Sequence, residues 1–297
     1  MVSRTRKNGA ESKTRSPGEF LLRCRRELVR HVRGALSGND AEAVHDMRVA
    51  SRRIRAALAF LKRDVPKGQR RRASRRVREI TRALGELRQF DVNTVLLDRI
   101  IAESPEVRHA AEFARPILAA DRGRSLARAR KAVRGTDFNR LGGELKDLGR
   151  RLDRCDVGAL SNRAGKQAVR REKQLARLWG ANGAGPAALI DPQDKRRLHA
   201  IRIATKKFRY HLETGRRICG WPVDGAIRAA RHMQDTLGDL HDIEVLLHWC
   251  EAQREEAAGP MEELARHIRL REAVALSRVA AMRDVAHAAL TKSLAVS

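Results

Sequence analysis

VHDMRVASRRIRAALAFL, residues Val44 to Leu61, has the spacing of an α-helix with two unlike faces. His45, Arg48, Arg52 and Arg55 stand at i, i+3, i+7 and i+10, which at about 100° per residue confines them to an arc of roughly 80°. Met47, Ala50, Ile54, Ala57, Leu58 and Leu61 gather on the other side, so one helix carries a core stripe and a cationic stripe. The arrangement occurs again at residues 198–212, LHAIRIATKKFRYHL, where His199, Arg202, Lys206 and Arg209 keep the same four spacings. Arg53 and Lys207 follow directly behind the third stripe position of each copy, Arg52 and Lys206. A patterned helix that recurs in order points to internal duplication.

The segments around the two copies agree. Downstream of the first, residues 67–82, KGQRRRASRRVREITR, hold eight basic residues and one acid, Glu79. Arg71, Arg75, Arg78 and Arg82 share one helical face there, and Val77, Ile80 and Leu84 another. A shift of 153 residues lays Leu84-Gly85-Glu86-Leu87 on Leu237-Gly238-Asp239-Leu240, and Arg75 and Arg78 on Arg228 and Arg231. Other helices are expected over 19–36, 105–134, 138–152 (capped by Asp137), 161–179, 224–253 and 260–294, with a bend at Pro116. Residues 180–194, GANGAGPAALIDPQD, read as a loop, and residues 1–17 as a disordered basic tail. No segment reads as a strand. The expected fold is therefore all-α. Repeats 18–155 and 156–294 would each form an antiparallel bundle of about four helices, related by pseudo-symmetry, with a basic groove or cavity between them.

Charge narrows the ligand. The 297 residues carry 63 Lys and Arg against 36 Asp and Glu, a formal net charge of +27. Residues 1–82 hold 24 basic and 8 acidic side chains, whereas residues 224–297 hold 9 and 12. Such unevenness favours a polyanion-binding surface over general solubilisation. Arginine outnumbers lysine 51 to 12; its planar fork suits phosphate oxygens, although a codon preference would give the same ratio. Residues 196–217 carry eight cations and one acid, Glu213. Like charges at i, i+3 and i+4 destabilise a helix, and a bound polyanion would offset that.

Cys24, Cys155, Cys219 and Cys250 are scattered, with no C-x-x-C, and fit small apolar helix residues in a reducing compartment. Neither a membrane-length apolar run nor a signal peptide is present, so the cytoplasm is expected.

The two histidine helices, with LGELRQFDV and LGDLHDIEV downstream of them, resemble the CHAD domain, the conserved histidine α-helical domain, over roughly residues 18–290. That resemblance implies two helical bundles about a pseudo-twofold axis, a basic cavity between them, and inorganic polyphosphate as ligand. It further implies association with polyphosphate granules, and polyphosphate-metabolising enzymes as possible partners. By position, the implied ligand groups are His45, Arg48, Arg52 and Arg55 with His199, Arg202, Lys206 and Arg209. Arg53, Lys207, the Arg71, Arg75, Arg78 and Arg82 face, Arg228 and Arg231 complete the candidate set. One departure stands out. The family commonly reads Leu-Gly-x-Leu-Arg-Asp, whereas here the copies read Arg88-Gln89 and His241-Asp242, each keeping half of the pair.

Other chemistries fit less well. His45-Asp46 and His241-Asp242 bring to mind a metal phosphohydrolase, but the surrounding arginines repel metal ions and further ligands are lacking. No P-loop, dinucleotide fingerprint or nucleophile elbow occurs, so neither enzyme activity, a metal nor a cofactor is expected. Nucleic acid is the alternative polyanion. Single-strand binders interleave aromatics with cations, yet of ten aromatics only Phe60, Phe208 and Tyr210 lie on the two histidine helices, and the phenylalanines fit the core. No helix-turn-helix spacing is visible. A base-free phosphate chain read through charge fits better.

Overall fold

The computed structural model describes residues 16–38, 40–179, 194–253 and 258–294, with burial and side-chain contacts through residue 282. Residues 1–15 of the expected tail, Asn39, and residues 180–193 of the expected loop lie outside the described residues. Among the described residues the chain is all α-helical, apart from a 3-10 turn at Pro105–Val107. The helices are α1 (Pro17–Arg30), α2 (Val32–Ser37), α3 (Ala41–Phe60), α4 (Lys67–Glu103), α5 (Arg108–Arg134), α6 (Phe138–Leu152), α7 (Val157–Leu178), α8 (Lys195–Cys219), α9 (Asp224–Ala252) and α10 (Ala258–Leu294).

Local chemistry explains most of the ends. Pro17 opens α1, with the Ser16 hydroxyl accepting from the Glu19 amide at 3.0 Å. Asp40, Asp137, Asp156 and Asp194 cap α3, α6, α7 and α8 in the same manner. Gly38 and Gly220 close α2 and α8 with φ of 84° and 71°, which an L side chain adopts poorly. The single helix expected over 19–36 is instead two, broken at His31. Pro116 sits inside a continuous α5; its missing N–H costs one intrahelical bond but does not end the helix.

Three apolar cores hold these elements. The first joins α1, α2, α3, α6 and the start of α4, and takes in Leu160 and Ala164 of α7. The second joins α7, α8, the start of α9 and the middle of α10. A third unites the far ends of both hairpins, through Leu97, Ile100 and Leu118 from one side and Leu246, Leu264 and Ile268 from the other. All six residues expected on the core side of α3 are buried, as are Phe60 and Phe208. Val95 of α4 is 55% exposed. Helices α3, α4 and α5 each pack against the element in the same place in the second half, α8, α9 and α10. The α3–α8 contact places the two histidine helices side by side.

Candidate functional site: a seam of cations between α3 and α8

Where α3 meets α8, cations of the two halves come within electrostatic reach of one another. Lys206 is the clearest case. Burial is the main reason its ammonium is pulled down to about 7, with Arg52, Arg202, Arg48 and Arg55 adding repulsion. Arg48 is pulled down to about 9, again first by burial, then by Arg52, Arg202 and Arg88, while the Tyr210 hydroxyl opposes the shift. Arg202 is held below its ordinary value by burial and Arg52, against the attraction of Asp242 and Glu244. Arg55 is lowered by burial, Arg78 and Arg52. Arg48, Arg52, Arg55 and Arg78 from the first half thus share one field with Arg202 and Lys206 from the second. Arg48 Nε is buried without a hydrogen-bond partner, and it lies over Gly85, where an added Cβ would stand 3.6 Å from it.

The split Arg-Asp pair of the sequence meets at the same place. Gln89 of α4 donates a hydrogen bond to the Asp242 carboxylate of α9, and Asn93 Oδ1 accepts from Gln89 Nε2 at 3.2 Å. Burial pushes the Asp242 carboxyl above its usual range, although Arg202 and Gln89 pull the other way. His241 is pushed down to about 4 by burial, then by Arg202, His199, Lys206 and Arg48. Its ring lies 6.2 Å from that of His199. Arg88, Gln89, His241, Asp242 and Tyr210 therefore belong to the cluster, although the cationic stripes do not contain them. Their signal in the sequence was positional, in the Leu-Gly-x-Leu element and in the aromatic after Arg209.

The other candidates are placed differently. Arg209 bonds Glu213 at 3.2 Å and lies 4.5 Å over the Tyr210 ring. Arg231 reaches the same carboxylate at 3.0 Å. Glu213 thus ties up two cations of the second half, where the first half has Ala59 at the matching position. Arg82 pairs with Glu86. Arg71, Arg75 and Arg228 are exposed. Their neighbours Arg72 and Arg76 pair with Glu144 of α6. Arg53 lies on the α1 side, where its charge acts on Cys24 together with that of Arg217. Lys207 lines a cavity between α7 and α8. His45 is half-buried on α3.

Chemically, the seam offers guanidinium and ammonium donors from two helices, with the half-buried carboxyl of Asp242 beside them. Among the described residues no three His, Cys, Asp or Glu side chains gather so as to hold a metal ion. No described helix is long and apolar enough to cross a membrane.

Half-buried cations of α3 and α8 thus meet across the two halves of an all-α protein. The CHAD-domain family matches residues 19–251, and the chain belongs to that family, which is associated with inorganic polyphosphate. Two solved structures share the fold. The CHAD domain from the plant Ricinus communis has a TM-score of 0.66 at 21% identity, over 92% of this chain and 90% of its own. PptA from Streptomyces chartreusis has a TM-score of 0.60 at 17% identity, over 93% and 97%. No curated protein matches the sequence.

Proposed function

We propose that this protein binds inorganic polyphosphate at the α3–α8 seam, in a basic groove shared by the two repeats. It would act as a binding protein rather than an enzyme, recruiting to or organising polyphosphate granules in the cytoplasm. One observation carries the reading: Arg48 and Lys206, from opposite halves, are half-buried in a single like-charged field. Like charges held together out of water destabilise the empty protein, and a multivalent anion relieves that cost by bonding several of them at once. The family's association with polyphosphate supports the choice of anion.

The test is a competition at physiological salt. Long polyphosphate should bind tightly, tripolyphosphate more weakly and single phosphate negligibly, since affinity accumulates over many contacts. Binding should weaken steeply with salt as counterions are released. Duplex DNA or RNA at equal phosphate concentration should not displace the chain; displacement would favour the nucleic-acid reading. Arg52→Ala with Lys206→Ala removes one cation from each half and should cut affinity at least tenfold, taking charge-assisted bonds at about 1.5 kcal/mol or more each. Arg269→Ala with Arg278→Ala is the matched control. Arg269 is already paired with Glu251 and Glu262, so an equal loss there would mean diffuse charge and no defined site.

A further inference from the structure

The α7 face carries cations that the central cluster does not use. Arg163, Lys166 and Arg170 stand at i, i+3 and i+7, the spacing of the first three cationic-stripe positions on α3. A concavity of about 450 Å³ lies between them and the turn after α3, where Lys62 and Arg63 face α7. A second, of about 300 Å³, lies between α7 and α8 and is lined by Arg196, His199 and Lys207. Arg171 and Gln174 line both, so the two concavities adjoin along α7 and together make up the α7 groove. Its α8 end reaches His199, whose ring is 6.2 Å from His241 of the central cluster.

The charge balance of this groove is one-sided. Among the described residues, Asp64 is the one carboxylate lining either concavity, and Arg163 holds it in an ion pair. Lys62, Lys166 and Arg170 are exposed. Arg171 is half-buried, its Nε has no hydrogen-bond partner, and burial holds its guanidinium below the ordinary value. Both the shape and the unpaired donor suit an extended anion. A compact one would leave one end of the groove unfilled, since α7 rises about 16 Å between Arg163 and Gln174.

We propose that the α7 groove is a second polyanion subsite, which takes the part of a phosphate chain running out of the central cluster past His199 and Lys207 toward Lys62. The proposal rests on the polyphosphate reading of the α3–α8 seam. A chain anchored at the seam presents its remaining phosphates to α7 at high effective concentration, so chains long enough to reach gain affinity that shorter ones do not.

The experiment uses the full-length protein, with long-chain polyphosphate and tripolyphosphate as separate probes over a series of salt concentrations. Lys166→Ala with Arg170→Ala should lower long-chain affinity about tenfold and flatten the salt slope by about 1 to 2, at roughly 0.7 per lost contact to a single-stranded phosphate chain. Tripolyphosphate affinity should stay within about twofold of wild type. Lys62→Ala with Arg63→Ala, on the opposite wall, should give the same pattern, and the exposure of all four side chains makes loss of folding easy to separate by melting temperature. Long-chain affinity unchanged in both variants, or equal losses for both probes, would overturn the second subsite alone. Wild-type protein that binds neither probe would overturn the seam reading and this one together.

Discussion

A phosphate chain bound beside Lys206 would favour the protonated form of its side chain. The Lys206 ammonium is pulled down to about 7 mainly by burial, and next by Arg52, Arg202 and Arg48. A bound polyanion favours the charged form and raises that value toward the ordinary one near 10.5. Binding should therefore take up a proton above about pH 7. Affinity for polyphosphate should be greatest below about pH 7 and fall as pH rises toward 10, and calorimetry in buffers of different ionisation enthalpy should detect the uptake. The empty protein should respond oppositely. Between about pH 7 and 10 the unfolded chain holds more protons at this position than the folded one, so stability rises with pH. A melting temperature that falls from pH 7 to 9 without ligand would contradict the placement of Lys206 in the cluster.

Arginines elsewhere in the molecule do ordinary structural work. Arg130 donates to the Leu36 and Ser37 carbonyls, each at 2.8 Å, at the end of α2. Arg122 bonds buried Asp91 at 2.8 Å and the Gly38 carbonyl at 3.0 Å. Their targets are the unpaired carbonyls of a helix end and a buried acid, which need donors whatever the protein binds. Composition alone did not separate these arginines from Arg48 or Arg52. Periodicity did, because only stripes opposite a core face recur in both copies.

At the scale of elements, α8 is fixed by a close approach that α3 lacks. Gly215 lies against the Trp221 ring, which packs on Phe60 and His211 and donates from Nε1 to Ser161 Oγ at 2.8 Å. Phe60 belongs to α3, Ser161 to α7 and His211 to α8, so Trp221 keys the two halves together. A Cβ at Gly215 would overlap the ring. Gly215→Ala should destabilise the protein by about 1–3 kcal/mol through overpacking, read as a lower urea midpoint. Because α8 carries Arg202 and Lys206, polyphosphate affinity should fall with it. Periodicity made α3 and α8 visible as helices and their core faces readable. The i, i+4 spacing of Arg209 and Glu213 is readable in the same way; that Glu213 would also engage Arg231, which lies on another helix, is not.

Taken whole, the molecule is tied together by its third core. Leu118 of α5 is 1% exposed there, among residues from α4, α9 and α10. Trp249 Nε1 donates to Asp121 Oδ2 at 2.8 Å, joining α9 to α5. The two repeats should therefore unfold together. Calorimetry should show one transition, and Leu118→Ala should lower it as a unit, at a cost of about 2–5 kcal/mol for a buried leucine. Two separate transitions, with only one shifted, would mean that the halves are independent bundles.

The sequence by itself determined the helical fold, the core face of α3, the Asp137 cap of α6, the recurrence of the histidine helices and the cationic stripes. These are local properties, legible because a helix repeats every 3.6 residues and a cap acts within a turn. Only tertiary structure decided which cations share a field. It brought Arg48 and Arg52 beside Arg202 and Lys206, set Gln89 against Asp242, and turned Arg53 toward Cys24 and Lys207 toward α7. The physical reason is that adjacent positions on a helix point about 100° apart, so the neighbours of a side chain depend on which partner helix lies against its face.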